Sequence, residues 1–291
     1  MALTSGKEIL TKARECTTCA IGGFDGFNME SVQGIMAAAE QMKTPVFLQF
    51  CVVSLQYAGM GWIAALAREA VQHATVPVCI HMDHGPEPTD REQVIAAMNA
   101  GFNSVMVDGS GLDFEENIAM TRAVVKIAHG RGVCVEGELG KVSRNINAGP
   151  EELQHLMTDP GQAARFVEKT GVDYLAVSVG SVSGFYRGDI HLDLERLELI
   201  GQNVDVPLVF HGGTSIPEAQ IKEAVRLGVK KVNIAHGVRK AFWDGVSQGT
   251  AEYDKTRTMD PRVILGQGRS SVTDYVMQKM VQFGGRNDEL S

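Results

Sequence analysis

The pentapeptide His81-Met82-Asp83-His84-Gly85 closes the apolar run Val76-Pro77-Val78-Cys79-Ile80. Two imidazoles and a carboxylate within four residues provide metal ligands and a proton carrier, and Gly85-Pro86 reads as a chain reversal behind them. A short β-branched run flanked by proline and ending in polar residues predicts a buried strand whose tip emerges at the mouth of a fold. For the pentapeptide alone, the alternative is a strand end whose polar groups are satisfied by neighbouring loops.

Positioning such a tip requires partners, and the chain supplies them in regular alternation. Strands are predicted at Cys19 to Phe24, Pro45 to Phe50, Val76 to Met82, Ser104 to Asp108, Val133 to Glu138, Tyr174 to Val179, Pro207 to Phe210 and Lys231 to Ala235. Stretches of helical period lie between them: Met29 to Met42, Arg91 to Asn99, Phe114 to His129, Gly161 to Lys169, Leu192 to Ile200 and Pro217 to Leu227. No linker or low-complexity segment divides the series, so residues 1–291 read as a single (β/α)8 TIM barrel, an α/β fold with right-handed crossovers. Further helices are predicted at Ala235 to Val246 and Pro261 to Phe283. The second, within a C-terminal extension over 260–284, is expected to pack across the barrel or onto another subunit. The polar, Gly/Asn-rich loop Gly140 to Pro150 is expected to act as a mobile cover.

Composition narrows the function classes. A formal charge of −8 over 291 residues, with no basic stripe to neutralise phosphates, argues against a nucleic-acid partner. No apolar run reaches the roughly 20 residues that cross a bilayer, and the amino terminus lacks a signal-peptide core, so a cytoplasmic protein with no membrane partner is expected. Five scattered cysteines make no disulfide framework. Cys16-Thr17-Thr18-Cys19 has metal or redox spacing but lacks a second CxxC, and its sulfurs are expected where a helix leads into the first strand.

A barrel gathers its chemistry at the carboxyl ends of its strands. Those ends carry Asp25 and Asn28, Gln49, His81 to His84, Asp108, Glu136 and Glu138, Ser178 and Ser183, His211, and Asn233 and His236. Four of the eight histidines, His81, His84, His211 and His236, therefore fall at three strand ends. His211 precedes Gly212-Gly213-Thr214-Ser215 and a helix near Pro217. Small residues there would let backbone N–H groups approach an anion such as phosphate; the alternative is a turn that only reverses the chain.

Taken together, these segments resemble the class II, metal-dependent aldolases acting on fructose and tagatose bisphosphates. His81 to Gly85 is similar to the family's H-x-D-H-G, Ser104 to Ser110 to its S-V-M-x-D-G-S, and Val135 to Gly140 to its V-E-x-E-L-G. Pro207 to Pro217 follows P-L-V-x-H-G-G-[ST]-x-[IV]-P, and Lys231 to Ile234 follows K-[IV]-N-[IV]. The resemblance implies Asp83 as proton carrier, His84 and His211 as metal ligands, and Asp108 and Glu138 as ligands of an alternative metal position. It implies substrate contacts from Asn28, Gly184, Gly212, Gly213, Thr214, Asn233 and His236, the last six around the phosphate-bearing end of a ketose.

The sequence departs from the family at one mouth. Ser183 stands where a third metal histidine is usual, Cys51 where a substrate-binding serine is, Ser215 for a glycine and His236 for a threonine, and the loop after Gly140 lacks the family's Gly-Gly and acidic residues. A serine hydroxyl is a poor zinc ligand beside imidazole, so a carboxylate, Glu138 or Asp108, is expected to complete a His/His/carboxylate site. The expected activity is cleavage of a ketose phosphate or keto-sugar acid to dihydroxyacetone phosphate, or a similar three-carbon unit, and an aldehyde. A divalent metal, Zn2+ first, is the expected cofactor, and a homodimer or homotetramer the expected assembly. A non-catalytic sugar-phosphate-binding subunit and an isomerase or epimerase are the alternatives, since a barrel does not fix the reaction.

Overall fold

A computed structural model describes residues 2–84, 88–256 and 260–284. Gly85 and Pro86, expected to reverse the chain, lie outside the described residues. The strands are β1 (Ile21–Asp25), β2 (Val46–Phe50), β3 (Val78–Met82), β4 (Ser104–Val107), β5 (Cys134–Leu139), β6 (Tyr174–Val177), β7 (Leu208–Phe210) and β8 (Val229–Ile234). They pair in parallel in chain order, and β8 returns to β1 with Gly23 opposite Asn233, closing the (β/α)8 TIM barrel. The helices are α1 (Gly6–Glu15), α2 (Met29–Met42), α3 (Val52–Ala58), α4 (Met60–Gln72), α5 (Arg91–Ala100) and α6 (Phe114–His129). They continue with α7 (Pro150–His155), α8 (Pro160–Thr170), α9 (Leu194–Asn203), α10 (Glu218–Arg226), α11 (His236–Thr256) and α12 (Pro261–Gln282).

Strand parity decides what reaches the mouth. Alternate strand residues face the same side, and Ile21, Phe47, Cys79, Met106, Cys134, Tyr174 and Val209 pack in one buried cluster with Ile9, Leu10 and Ala13 of α1. This cluster fills the barrel interior at its amino-terminal end, where α1 acts as a plug. Two residues further along the same faces come Gln49, His81, Asp108, Glu136 and His211, all buried and all polar. The interior thus changes from apolar to polar along the barrel axis. The opposite strand faces carry Leu48, Ile80, Val105, Val135 and Leu175 into the larger apolar layer beneath the helices.

α12 packs against α2 and α11, and two glycines permit the close approach. A Cβ on Gly34 would meet Val272 at 2.8 Å, and one on Gly237 would meet the Tyr275 hydroxyl at 1.8 Å. Beyond α12, Phe283 stacks on Phe24 and its carbonyl accepts from Ala20 N, so the extension packs along the barrel side. Cys16 caps the carboxyl end of α1, the place expected for it. A Thr17-Thr18 turn brings Cys16 and Cys19 to a Cα separation of 5.4 Å, and the two are joined in a disulfide that the sequence reading did not include. Pro217, expected in the first turn of a helix, is the N-cap of α10 instead. Among the described residues, no helix is long and apolar enough to cross a membrane.

Candidate active site

His84 follows β3 and His211 follows β7, on opposite sides of the barrel in chain order, yet their rings meet edge to face with centroids 4.9 Å apart. Each is held by carboxylates. His211 Nε2 lies 2.8 Å from Glu136 Oε1, and Asn233 Nδ2 lies 3.0 Å from the same nitrogen. With Nε2 engaged by a buried carboxylate below, His211 keeps Nδ1 for a ligand. His84 Nδ1 lies 3.4 Å from Asp108 Oδ2. Asp108 is aimed by Ser110, whose backbone N and hydroxyl both donate to Oδ1 at 3.1 and 2.7 Å.

Asp83 sits between these groups. Gln49 Nε2 donates to Asp83 Oδ2 at 3.3 Å, while Asp83 Oδ1 is buried without a hydrogen-bond partner among the described residues. Burial alone would push this carboxyl up, but His84, His211 and Lys231 outweigh it and hold the group below its ordinary value. The converse acts on His84: burial opposes its charge, yet Asp83, Asp108 and Glu138 raise it to about 9.

Beneath the mouth lies a buried ion pair. Lys231 Nζ donates to Glu136 Oε2 at 2.6 Å and sits over the Phe47 and Tyr174 rings. Burial would raise Glu136, but Lys231 and His211 hold it well below the carboxylate range. His81 is neutral, lowered to about 3 by burial and by Lys231, and its Nδ1 contacts Ser104 Oγ at 2.6 Å. The second histidine of the motif is thus a mouth residue and the first an interior one.

Among the described residues, two groups have the chemistry and spacing of a cation site: Asp83, His84 and His211, and His84, Asp108 and Glu138, each with ligand atoms within 4.8 Å of one another. The unpartnered Asp83 Oδ1 shows that the site is built for something more than the protein's own donors. Imidazole and carboxylate suit a divalent ion such as Zn2+. The two carboxylates expected to complete a two-histidine site thus gather around His84 alone, and Asp83 is the carboxylate beside both histidines.

A small cavity opens here, lined by Gln49, Asp83 and His84 on one side and by Gly212, Thr214, Asn233 and His236 on the other. Ser183 and Gly184 also line it, Ser183 standing where the resemblance places a third imidazole. Gly212 is at φ +73, and a Cβ there would meet Val182 O at 2.5 Å, so only glycine fits this close approach. In the turn after His211, Gly213 N donates to Asn233 O and Ser215 N to Gly212 O. The helix amino terminus at the cavity is therefore that of α11, beginning at His236, rather than that of α10 as the sequence suggested. Burial and Arg239 lower the His236 imidazole. Asn28 is placed apart: its side chain caps α2 through Ser31 N, and it lines an adjoining groove with Tyr57, Arg239 and Trp243.

Two arginines escaped the sequence reading. Arg239 of α11 donates to Asp25 Oδ2 at 2.7 Å. Arg144, from the loop after β5, donates to His84 Nδ1 at 2.9 Å. That loop, expected to be a mobile cover, is pinned in this structure. Ser183 N donates to Ser143 O, Arg187 N to Ile146 O and the Tyr186 hydroxyl to Ala148 O. Nothing in spacing or periodicity marks either arginine; only the fold brings them to the mouth.

The family profile described as "Fructose-bisphosphate aldolase class-II" matches residues 4–288. The chain belongs to the class II fructose-bisphosphate aldolase family. This class II aldolase is 39% identical over 290 residues to a probable fructose-bisphosphate aldolase of Bacillus subtilis strain 168, covering 99% of each chain. It is 36% identical over 288 residues to a sulfofructosephosphate aldolase of Alkalicoccus urumqiensis, covering 99% of this chain and 98% of that one. Its fold is similar to the crystal structure of the YdjI aldolase from Escherichia coli K12, with TM-score 0.85, 32% identity and 98% of each chain covered. As an aldolase it is a carbon–carbon lyase of sugar-phosphate metabolism, from a family that is generally zinc-dependent.

Proposed function

We propose that this aldolase uses a divalent metal, Zn2+ first, to cleave a ketose phosphate or related keto-sugar acid reversibly into dihydroxyacetone phosphate, or a similar three-carbon unit, and an aldehyde. The observation that carries this reading is the convergence of ligand atoms of Asp83, His84 and His211, from the tips of β3 and β7, within 4.8 Å of one another. His84 and His211 would hold the cation, with Asp108 and Glu138 as carboxylate ligands beside His84. When bound, it supplies a Lewis acid for the negative charge that builds on the ketone oxygen as the bond breaks.

The protein's own residues do the rest. Asp83 Oδ1 accepts the proton of the hydroxyl that becomes the aldehyde carbonyl, and returns it in condensation. Gln49 holds the other oxygen, fixing the direction of Oδ1. Gly184, Gly212, Thr214, Asn233 and His236, which line the cavity, surround the phosphate of the ketose, with Gly213 in the turn behind them and the first turn of α11 aimed at it. Asn28, in the adjoining groove, contacts substrate from the β1 side. The exposed aromatics Tyr57, Trp62 and Trp243, with exposures of 87%, 76% and 68%, support a homodimer or homotetramer.

The relatives' names make fructose bisphosphate and sulfofructose phosphate the first substrates to try. A retro-aldol assay with a panel of ketose phosphates should show turnover that is lost on chelation and restored by Zn2+. Turnover indifferent to chelator would sink the metal assignment, and ligand binding without cleavage would favour a binding subunit. Ser183 also allows a test by gain. Ser183→His should supply a third imidazole and tighten zinc binding by about tenfold or more, measured by competition with a chromophoric chelator.

A further inference from the structure

Arg144 is a resident of the mouth whose chemistry the reaction above does not use. Its Nη2 lies 2.9 Å from His84 Nδ1 and 3.8 Å from Asp108 Oδ2, so the guanidinium bridges a candidate ligand pair. Guanidinium nitrogens only donate, so this contact is made by the lone pair of Nδ1 on the neutral ring, in competition with the proton that the neighbouring carboxylates favour there. A metal bound through the same nitrogen requires the same lone pair, and a ring nitrogen has one. The pair's spacing suits a metal: His84 Nδ1 and Asp108 Oδ2 are 3.4 Å apart. Two ligands of a tetrahedral zinc with bonds of about 2.0–2.1 Å are separated by about that distance.

We propose that Arg144 and the metal exchange places at His84 Nδ1 and Asp108, and that the released guanidinium binds an anionic group at the far end of the substrate. The arginine side chain is about half exposed at 48%, so it can swing without unpacking a core. Its backbone is held next to it, where Ser143 O accepts from Ser183 N, and the Asn145 side chain donates to Glu152. The swing therefore leaves the guanidinium at the mouth. His84 and Asp108 stand at the β3 and β4 tips, across the barrel from the Gly212 to Thr214 turn and the α11 amino terminus at β7 and β8. A ketose held at the β7–β8 side by one phosphate extends towards Arg144, where a second phosphate or a sulfonate would meet a planar, bidentate donor. The exchange itself needs only a metal; the substrate half rests on the aldolase reading.

Zinc affinity of the wild type and of Arg144→Gln, read by competition with a chromophoric chelator, tests the exchange. Removing the competing cation should tighten zinc binding by about fivefold or more, and crystals of the zinc-loaded wild type should show Arg144 away from Nδ1. Affinities equal within about twofold, or zinc-loaded crystals with Arg144 still on Nδ1, would overturn it. For the substrate half, Arg144→Gln should raise KM about tenfold for a ketose 1,6-bisphosphate or a 6-sulfo-ketose 1-phosphate, and leave a ketose 1-phosphate unaffected. The larger rise identifies phosphate or sulfonate as the natural group, and an equal change in all three substrates rejects the assignment. Should none be cleaved, the aldolase reading fails while the zinc titration still decides the exchange.

Discussion

Asp83→Asn should lower retro-aldol turnover by about 10²- to 10⁴-fold, the range of a lost general base, and leave bound zinc and KM close to wild type. The substitution keeps the shape of the side chain and an oxygen to accept from Gln49, so packing is preserved. It removes a buried carboxylate oxygen beside the paired histidines that has no hydrogen-bond donor among the described residues. His84, His211 and Lys231 keep Asp83 ionised against the cost of burial, so the wild-type group is a ready proton acceptor at neutral pH. Elemental analysis and single-turnover kinetics on the same preparation separate two roles. A fall in turnover at constant metal content assigns the proton. A parallel fall in bound zinc would make Asp83 a ligand instead, and unchanged turnover would move the proton to another group.

The placement of Asp83 was legible in the sequence because strand parity is a local property. Once Val78 to Met82 is a strand, His81 must point inward and Asp83 emerge two residues later on the same side. Phe47 to Gln49, Cys134 to Glu136 and Val209 to His211 follow the same rule, which is why eight short apolar runs were enough to place most of the mouth. The rule fails where contacts are long-range. Lys231 is a charged residue inside a buried strand, and its partner Glu136 is 95 residues away, so no local pattern explains it. Arg144 is one basic residue in a polar loop until the fold brings it to His84. The residues from Val52 to Gln72 conceal two helices because Gly59, at φ +88, breaks one periodic pattern into α3 and α4. His81 carried the opposite error in emphasis. Spacing made it equal to His84, whereas burial and its Ser104 contact assign it to the interior.

That interior network carries the second large effect. Glu136→Gln should cost about 3–5 kcal/mol of stability, the range for breaking a buried ion pair. It removes the anion facing Lys231 at 2.6 Å and His211 at 2.8 Å. The same change should weaken zinc binding about 10- to 100-fold, because the carboxylate that orients His211 through Nε2 is lost and the ring is free to turn Nδ1 away from the mouth. The two losses have different origins and are separable. In Glu136→Gln/Lys231→Met the uncompensated ammonium is gone, so most of the stability should return, read as the midpoint of denaturant unfolding of the metal-free protein. Zinc affinity should stay low, since no carboxylate faces His211 Nε2 in either variant. Recovery of both in the double variant would show that Glu136 serves only to neutralise Lys231. Recovery of stability alone makes it the residue through which a charge buried in the barrel interior sets the geometry of the metal ligand above it.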